Sequence, residues 1–170
     1  METPSPATRP GTALRRIQSL AFFFALVFAA AAFGASFSPG PWYDGLEKPP
    51  WNPPAWVFGP VWTCLYVAMA IAAHRIWWRR GEGERRQRTS RALTLWAVQL
   101  VLNALWSWLF FGLHWPALAL VEMALLLAAI AATTRAFWRL DRTAAWLLVP
   151  YLAWVSYALT LSAAIAWLNH

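Results

Sequence analysis

The chain is predicted to be all-α: an integral membrane bundle of five transmembrane helices. Three observations predict this. The sequence is 60% hydrophobic and only 12% charged, with a mean hydropathy of +0.44. An ordinary soluble domain is roughly half apolar and a quarter charged. The apolar residues also fall in long runs, and no segment alternates with period two as barrel strands do. Finally, the basic residues collect on one side of a five-helix arrangement.

The elements follow in order. Residues 1–14 are rich in Pro, Thr and Ser and read as a flexible tail ahead of a membrane domain over 15–170. Helices are expected over about 16–37, 55–78, 92–113, 116–138 and 144–168. Each is long enough for a slightly tilted helix to cross about 30 Å of hydrocarbon. The first run also has features of a signal peptide, with Arg15-Arg16 ahead of it and small residues at 32–35. It is long for an h-region and reads as a retained helix. Small-residue spacings (Ala30 and Gly34, Ala68 and Ala72, Ala128 and Ala132) permit close helix packing, within one chain or between two.

Charge placement gives the topology. Of the 14 Lys and Arg residues, all but Lys48 fall before the first helix, between the second and third, or between the fourth and fifth. The positive-inside rule then puts the N-terminus in the cytoplasm and the C-terminus outside. It also removes nucleic acid as the reason for the net charge of +7. A helical bundle fits an inner or plasma membrane better than a barrel-rich outer one. The single cysteine, Cys64, cannot form an intrachain disulfide and is expected as a buried thiol. No His or Cys spacing suits a metal, and no nucleophile–base pairing or phosphate loop appears.

The densest signal lies at 42–66, which holds four tryptophans and five prolines. Pro49-Pro50 and Pro53-Pro54 cannot sit inside a regular helix, so this block is a stiff aromatic loop leading into the second span. The 14 tryptophans divide by depth. Trp77, Trp78, Trp138, Trp146 and Trp167 fit an interfacial belt. Trp62, Trp106, Trp108 and Trp154 lie deeper, where an indole N–H needs a partner or a flat ligand. Gln99, Asn103 and Trp106 share one helix face, as do Phe58, Trp62 and Tyr66, and Tyr151, Trp154, Ala158 and Leu161. Either an interhelical hydrogen bond or a ligand would satisfy the amides. Pro150 frees a backbone carbonyl and is a candidate kink. Glu122 is the carboxylate well inside a span, and is either a functional group or a neutral acid hydrogen-bonded in the bundle.

Taken together, Trp42-Tyr43, Leu46 through Pro49, Trp51-Asn52-Pro53-Pro54, Trp56-Val57-Phe58, Trp62 and Leu65-Tyr66 resemble the first loop and second helix of the TspO/MBR family. These are the tryptophan-rich sensory proteins related to the mitochondrial translocator protein (peripheral benzodiazepine receptor). Gln99, Asn103, Trp106, Phe110-Phe111-Gly112, Pro150-Tyr151-Leu152, Trp154 and Ala158 extend the resemblance over roughly residues 20 to 168.

The resemblance implies a homodimer of five-helix subunits that binds porphyrin, haem or another flat hydrophobic molecule in a pocket capped by the first loop. No required cofactor is implied. By position the pocket residues would be Trp42, Trp51, Phe58, Trp62, Asn103, Trp106, Phe111, Trp154, Ala158 and Leu161, with Gln99 and Glu122 in polar intramembrane roles. Glu122 matches a position where the family often has an acid. Leu161-Ser162 stands where many members have Leu-Asn, and helix five lacks a cholesterol-type pattern. The family also has outer-membrane assignments. The implied role is a receptor or sensor. The alternatives are a light-dependent porphyrin-degrading catalyst without protein acid–base groups, or a porphyrin or sterol transporter. Five helices without an inverted repeat are a poor scaffold for alternating access.

Overall fold

The computed structural model describes residues 10–37 and 39–169. Six α-helices account for most of them: α1 (Pro10–Ala35), α2 (Pro41–Asp44), α3 (Ala55–Trp78), α4 (Gly83–Ser107), α5 (Pro116–Trp138) and α6 (Arg142–Leu168). No strand occurs among the described residues. Five of the helices, all but the short α2, are long and apolar enough to cross a membrane.

Around the bundle, α1 packs on α3 and α4, α3 on α6, α6 on α5, and α5 on α4. Lipid is as apolar as leucine, so close packing and internal hydrogen bonds hold such helices together rather than escape from water. The core is accordingly built from small residues and interlocking large ones. Ala70, Ala72 and Ala73 of α3 and Ala144 and Ala145 of α6 are fully buried, beside Met69, Trp96, Leu126, Ile130, Phe137 and Tyr151. Gly34 lets α1 approach α4, since a Cβ there would lie 3.3 Å from the Ser107 hydroxyl. Ala128 and Ala132, by contrast, are exposed on the outer face of α5. Phe28, Val67, Val101, Val121 and Leu125 also face outward, as lipid-contacting side chains do.

Two boundaries differ from those expected. Helix α1 begins at Pro10 rather than near residue 16; of the expected tail, residues 1–9 lie outside the described residues. Helix α4 begins at Gly83, nine residues ahead of the predicted start at 92. Its first turns are polar and are supported by an Arg88–Glu84 pair at 2.6 Å and a Thr89 hydroxyl donating to the Arg85 carbonyl at 3.0 Å. Hydropathy marks where the membrane begins, whereas this helix continues into water on its own side-chain contacts.

At its other end α4 does not run straight on to Leu113. It widens into a π-helical turn over Trp108–Gly112. Prolines at 60 and 150 stand within α3 and α6, both of which continue through them. Cys64 is exposed, not buried: it lies on the outward face of α3, beside an open apolar groove of about 670 Å³ lined by Pro60, Val61, Leu65, Pro150, Ala153, Trp154 and Tyr157. The expected burial followed from thiol statistics of soluble proteins, and an apolar thiol is equally at ease against lipid.

The arginine-rich end is fastened by Asp141. Its carboxylate accepts the Ala144 N–H at 3.2 Å as the cap of α6 and lies 3.0 Å from Arg75 and 3.1 Å from Arg79 of α3. Burial pushes this acid upward, but the Ala144 N–H and the two guanidiniums outweigh it and hold the carboxyl below the ordinary 3.8. Nearby the Trp78 indole donates to the Ser19 hydroxyl at 2.8 Å, joining α1 to α3.

Candidate functional site

The Trp/Pro block folds as a lid over the opposite end. Pro41 supplies the fixed φ for the first position of α2. After Asp44 the chain turns, and Lys48 donates to the Asp44 and Leu46 carbonyls, both at 3.2 Å. Its ammonium also stands 4.6 Å from the Tyr43 ring centroid. The lone basic residue of this end therefore braces the lid. Burial lifts the Tyr43 phenol above its usual 10.

His114, Tyr157 and Asn169 each tie the lid down. The Trp42 indole stacks on His114 with centroids 4.2 Å apart. His114 adopts φ of 55°, a left-handed turn conformation tolerated by His more than by most residues. The Tyr157 hydroxyl donates to the Trp51 carbonyl at 2.7 Å. Asn169 accepts from the Glu47 N–H and donates to the Glu47 carbonyl, both at 2.9 Å.

Below the lid lies a cluster of rings. Trp106 stacks on Phe110 with centroids 5.0 Å apart and planes at 15°, and Phe111 meets Trp106 edge-on at 5.7 Å. Trp42 and Tyr43 reach Phe110 from the lid at 5.7 and 6.1 Å. The π turn makes this possible by displacing Phe110 and Phe111 from a regular helical register. Towards α6, Phe58 meets Trp154 at 5.8 Å, while Trp62 lies 5.4 Å from Tyr66 and 6.1 Å from Tyr151.

Polar atoms are set into these walls. Gln99 and Asn103 are both buried. Asn103 accepts the Tyr66 hydroxyl at 2.7 Å, and Gln99 donates to the Met69 sulfur at 3.7 Å. The Trp106 N–H, the Gln99 carbonyl and both carboxyl oxygens of Glu122 are buried without a hydrogen-bond partner among the described residues. Such atoms are costly in an apolar interior unless something meets them.

Of the ten expected pocket residues, Trp42, Trp106 and Phe111 gather with Phe110, Ala119 and Ile165. Trp62, Trp106, Trp154 and Ala158 pack on the main core. Trp106 belongs to both groups. Asn103 and Leu161 are buried, and Phe58 joins through Trp154. Trp51 is 52% exposed and meets α6 through its backbone. Trp108, expected to lie deep, is 38% exposed on the outward side of the π turn.

Sequence reasoning missed Tyr157 and Asn169, the two side chains of α6 and its cap that hold the lid. No local pattern marks them, since each bonds a residue more than 100 positions away. It also missed the buried Trp96, which packs edge-on against Phe23 at 5.4 Å. Aromatic faces and unpaired buried polar atoms are thus brought together beneath the lid.

Residues 22–168 match the TspO/MBR family profile. The chain is 40% identical to the tryptophan-rich protein TspO of Chlorobaculum tepidum, across 91% of this chain and 98% of that one. It is 43% identical to a tryptophan-rich sensory protein of Cereibacter sphaeroides, across 80% and 82%. To the human translocator protein it is 42% identical, across 76% and 75%. With five apolar helices of spanning length and this extent of similarity, the chain is a multi-pass membrane protein belonging to the TspO/MBR family.

Proposed function

We propose that the protein is a membrane receptor that senses tetrapyrroles, porphyrin or haem, held under the lid among α3, α4, α5 and α6. The observation that carries this reading is the set of partnerless buried polar atoms among stacked rings, chiefly the Trp106 N–H beside Phe110 and Phe111. A large flat heterocycle offers both the π-face and the polar atoms this lining calls for. The Trp106–Phe110 stack would have to part to admit it, which moves the π turn and, through Phe110, Trp42 of the lid. That supplies a route from occupancy to a surface change. Relatives named as sensory and translocator proteins support a ligand-responsive role. The arginine distribution favours a cytoplasmic N-terminus, with the lid on the other side.

Protoporphyrin titrated against tryptophan fluorescence in detergent tests the site. A Trp62→Ala, Trp154→Ala double variant loses two aromatic walls, each contributing about 0.5–1.5 kcal/mol beyond area, and should bind about tenfold more weakly. Unchanged affinity would sink the assignment.

A further inference from the structure

Among the described residues Glu122 makes no side-chain hydrogen bond. Its residue is 6% exposed and neither carboxyl oxygen has a hydrogen-bond partner among the described residues. Its place, however, is fixed. One turn earlier on the same face, Ala119 packs in the cluster that includes Trp106 and Phe111. The next residue, Met123, accepts the Ser162 hydroxyl at 3.5 Å and belongs to the core against which Trp62, Trp106, Trp154 and Ala158 pack. Glu122 acts electrostatically on the Tyr151 phenol of α6, whose ring lies 6.1 Å from Trp62, so the acid faces the polar and aromatic interior between Ala119 and Tyr151. The Trp106 N–H is likewise partnerless.

A buried carboxyl, neutral or ionised, offers an oxygen acceptor to an N–H donor, and an acceptor left unpaired away from water is costly. Resting on the tetrapyrrole reading above, we infer that Glu122 is the specificity group of this site: it accepts hydrogen bonds from ring N–H groups of the ligand. A free-base tetrapyrrole carries two such groups at its centre, and they meet a carboxyl lying against one face when the pyrroles tilt out of the mean plane. A macrocycle whose nitrogens are occupied by a metal has none to offer. The site is thereby selective for the metal-free ring.

The test compares protoporphyrin with its palladium(II) complex in the full-length protein by tryptophan quenching. Palladium(II) is square-planar and takes no axial oxygen, so the pair differ in N–H donors while keeping outline and propionates. The wild type should bind the free base about tenfold more tightly. Glu122→Leu should close that gap by weakening the free base alone, with the thermal midpoint unchanged or raised, since an unpaired buried acid is replaced by an apolar side chain. Glu122→Gln keeps one acceptor and should narrow the gap in part; it decides the matter if the leucine variant does not fold. Equal wild-type affinities, or a gap that survives in the variants, overturn the inference and leave the tetrapyrrole reading standing. Equal weakening of both ligands with a lowered midpoint also overturns it, making Glu122 a packing residue. Binding of neither ligand to the wild type removes both readings.

Discussion

Replacing Asn169 by alanine tests whether the lid is held by remote side chains rather than by its own prolines. The Asn169 amide makes two bonds to the Glu47 backbone, each at 2.9 Å. A neutral intramolecular hydrogen bond contributes about 0.5–1.5 kcal/mol net, and those at exposed sites fall in the lower half. Loss of both should cost about 1–2 kcal/mol of lid closure, or roughly a 5–30-fold rise in the open population. Tyr157→Phe removes the single bond to the Trp51 carbonyl at 2.7 Å and should cost about 0.5–1.5 kcal/mol. Hydrogen exchange followed by mass spectrometry in nanodiscs reads both effects. The Glu47 amide is itself a donor to Asn169, so peptides over 45–56 should exchange faster in each variant and fastest in the double variant. Peptides from the α5–α6 turn near Asp141 should not change. Unaltered protection over 45–56 in the double variant would refute the stapling argument and show that proline stiffness and the Trp42–His114 stack suffice.

Two further outcomes are expected. Asp141→Asn should lower stability by about 2–3 kcal/mol in thermal unfolding. It removes the charge that holds two guanidinium groups while Asn still caps the helix, and the effect stays below that of a fully buried ion pair because Arg75 and Arg79 side chains are 37% and 49% exposed. Since the folded carboxyl lies below the ordinary 3.8, its contribution is complete above that value and is lost as pH falls through the lower folded value; the variant should therefore lack that acid-side decline. Tyr66→Phe leaves the Asn103 carbonyl without its donor at 2.7 Å and should cost about 0.5–1.5 kcal/mol, measured by unfolding in detergent. A larger loss would mean that Tyr66 holds more than Asn103.

Much of this protein was legible in one dimension because membrane insertion responds to sums. Hydropathy averaged over some twenty residues is a local property, so the five spans and their order followed directly. Side-chain direction is equally local, and the helical period put Gln99 and Asn103 on a buried face. The start of α4 was misplaced for the same reason: averaging cannot see a polar helix that continues into water on an Arg88–Glu84 pair. Cys64 was misplaced because an apolar residue on a membrane helix has two comfortable environments, core and lipid.

The number of spans and the gathering of arginines at one end thus come from composition along the chain. The contacts that fasten the lid, the π turn and the partnerless atoms come only from the tertiary structure. Glu47 and Asn169 lie 122 residues apart, and Tyr66 meets Asn103 across 37. Which polar atoms find partners, and which do not, depends on how separate helices are rotated and packed against one another. No local pattern encodes that rotation, because it is settled by the fit of all five helices at once.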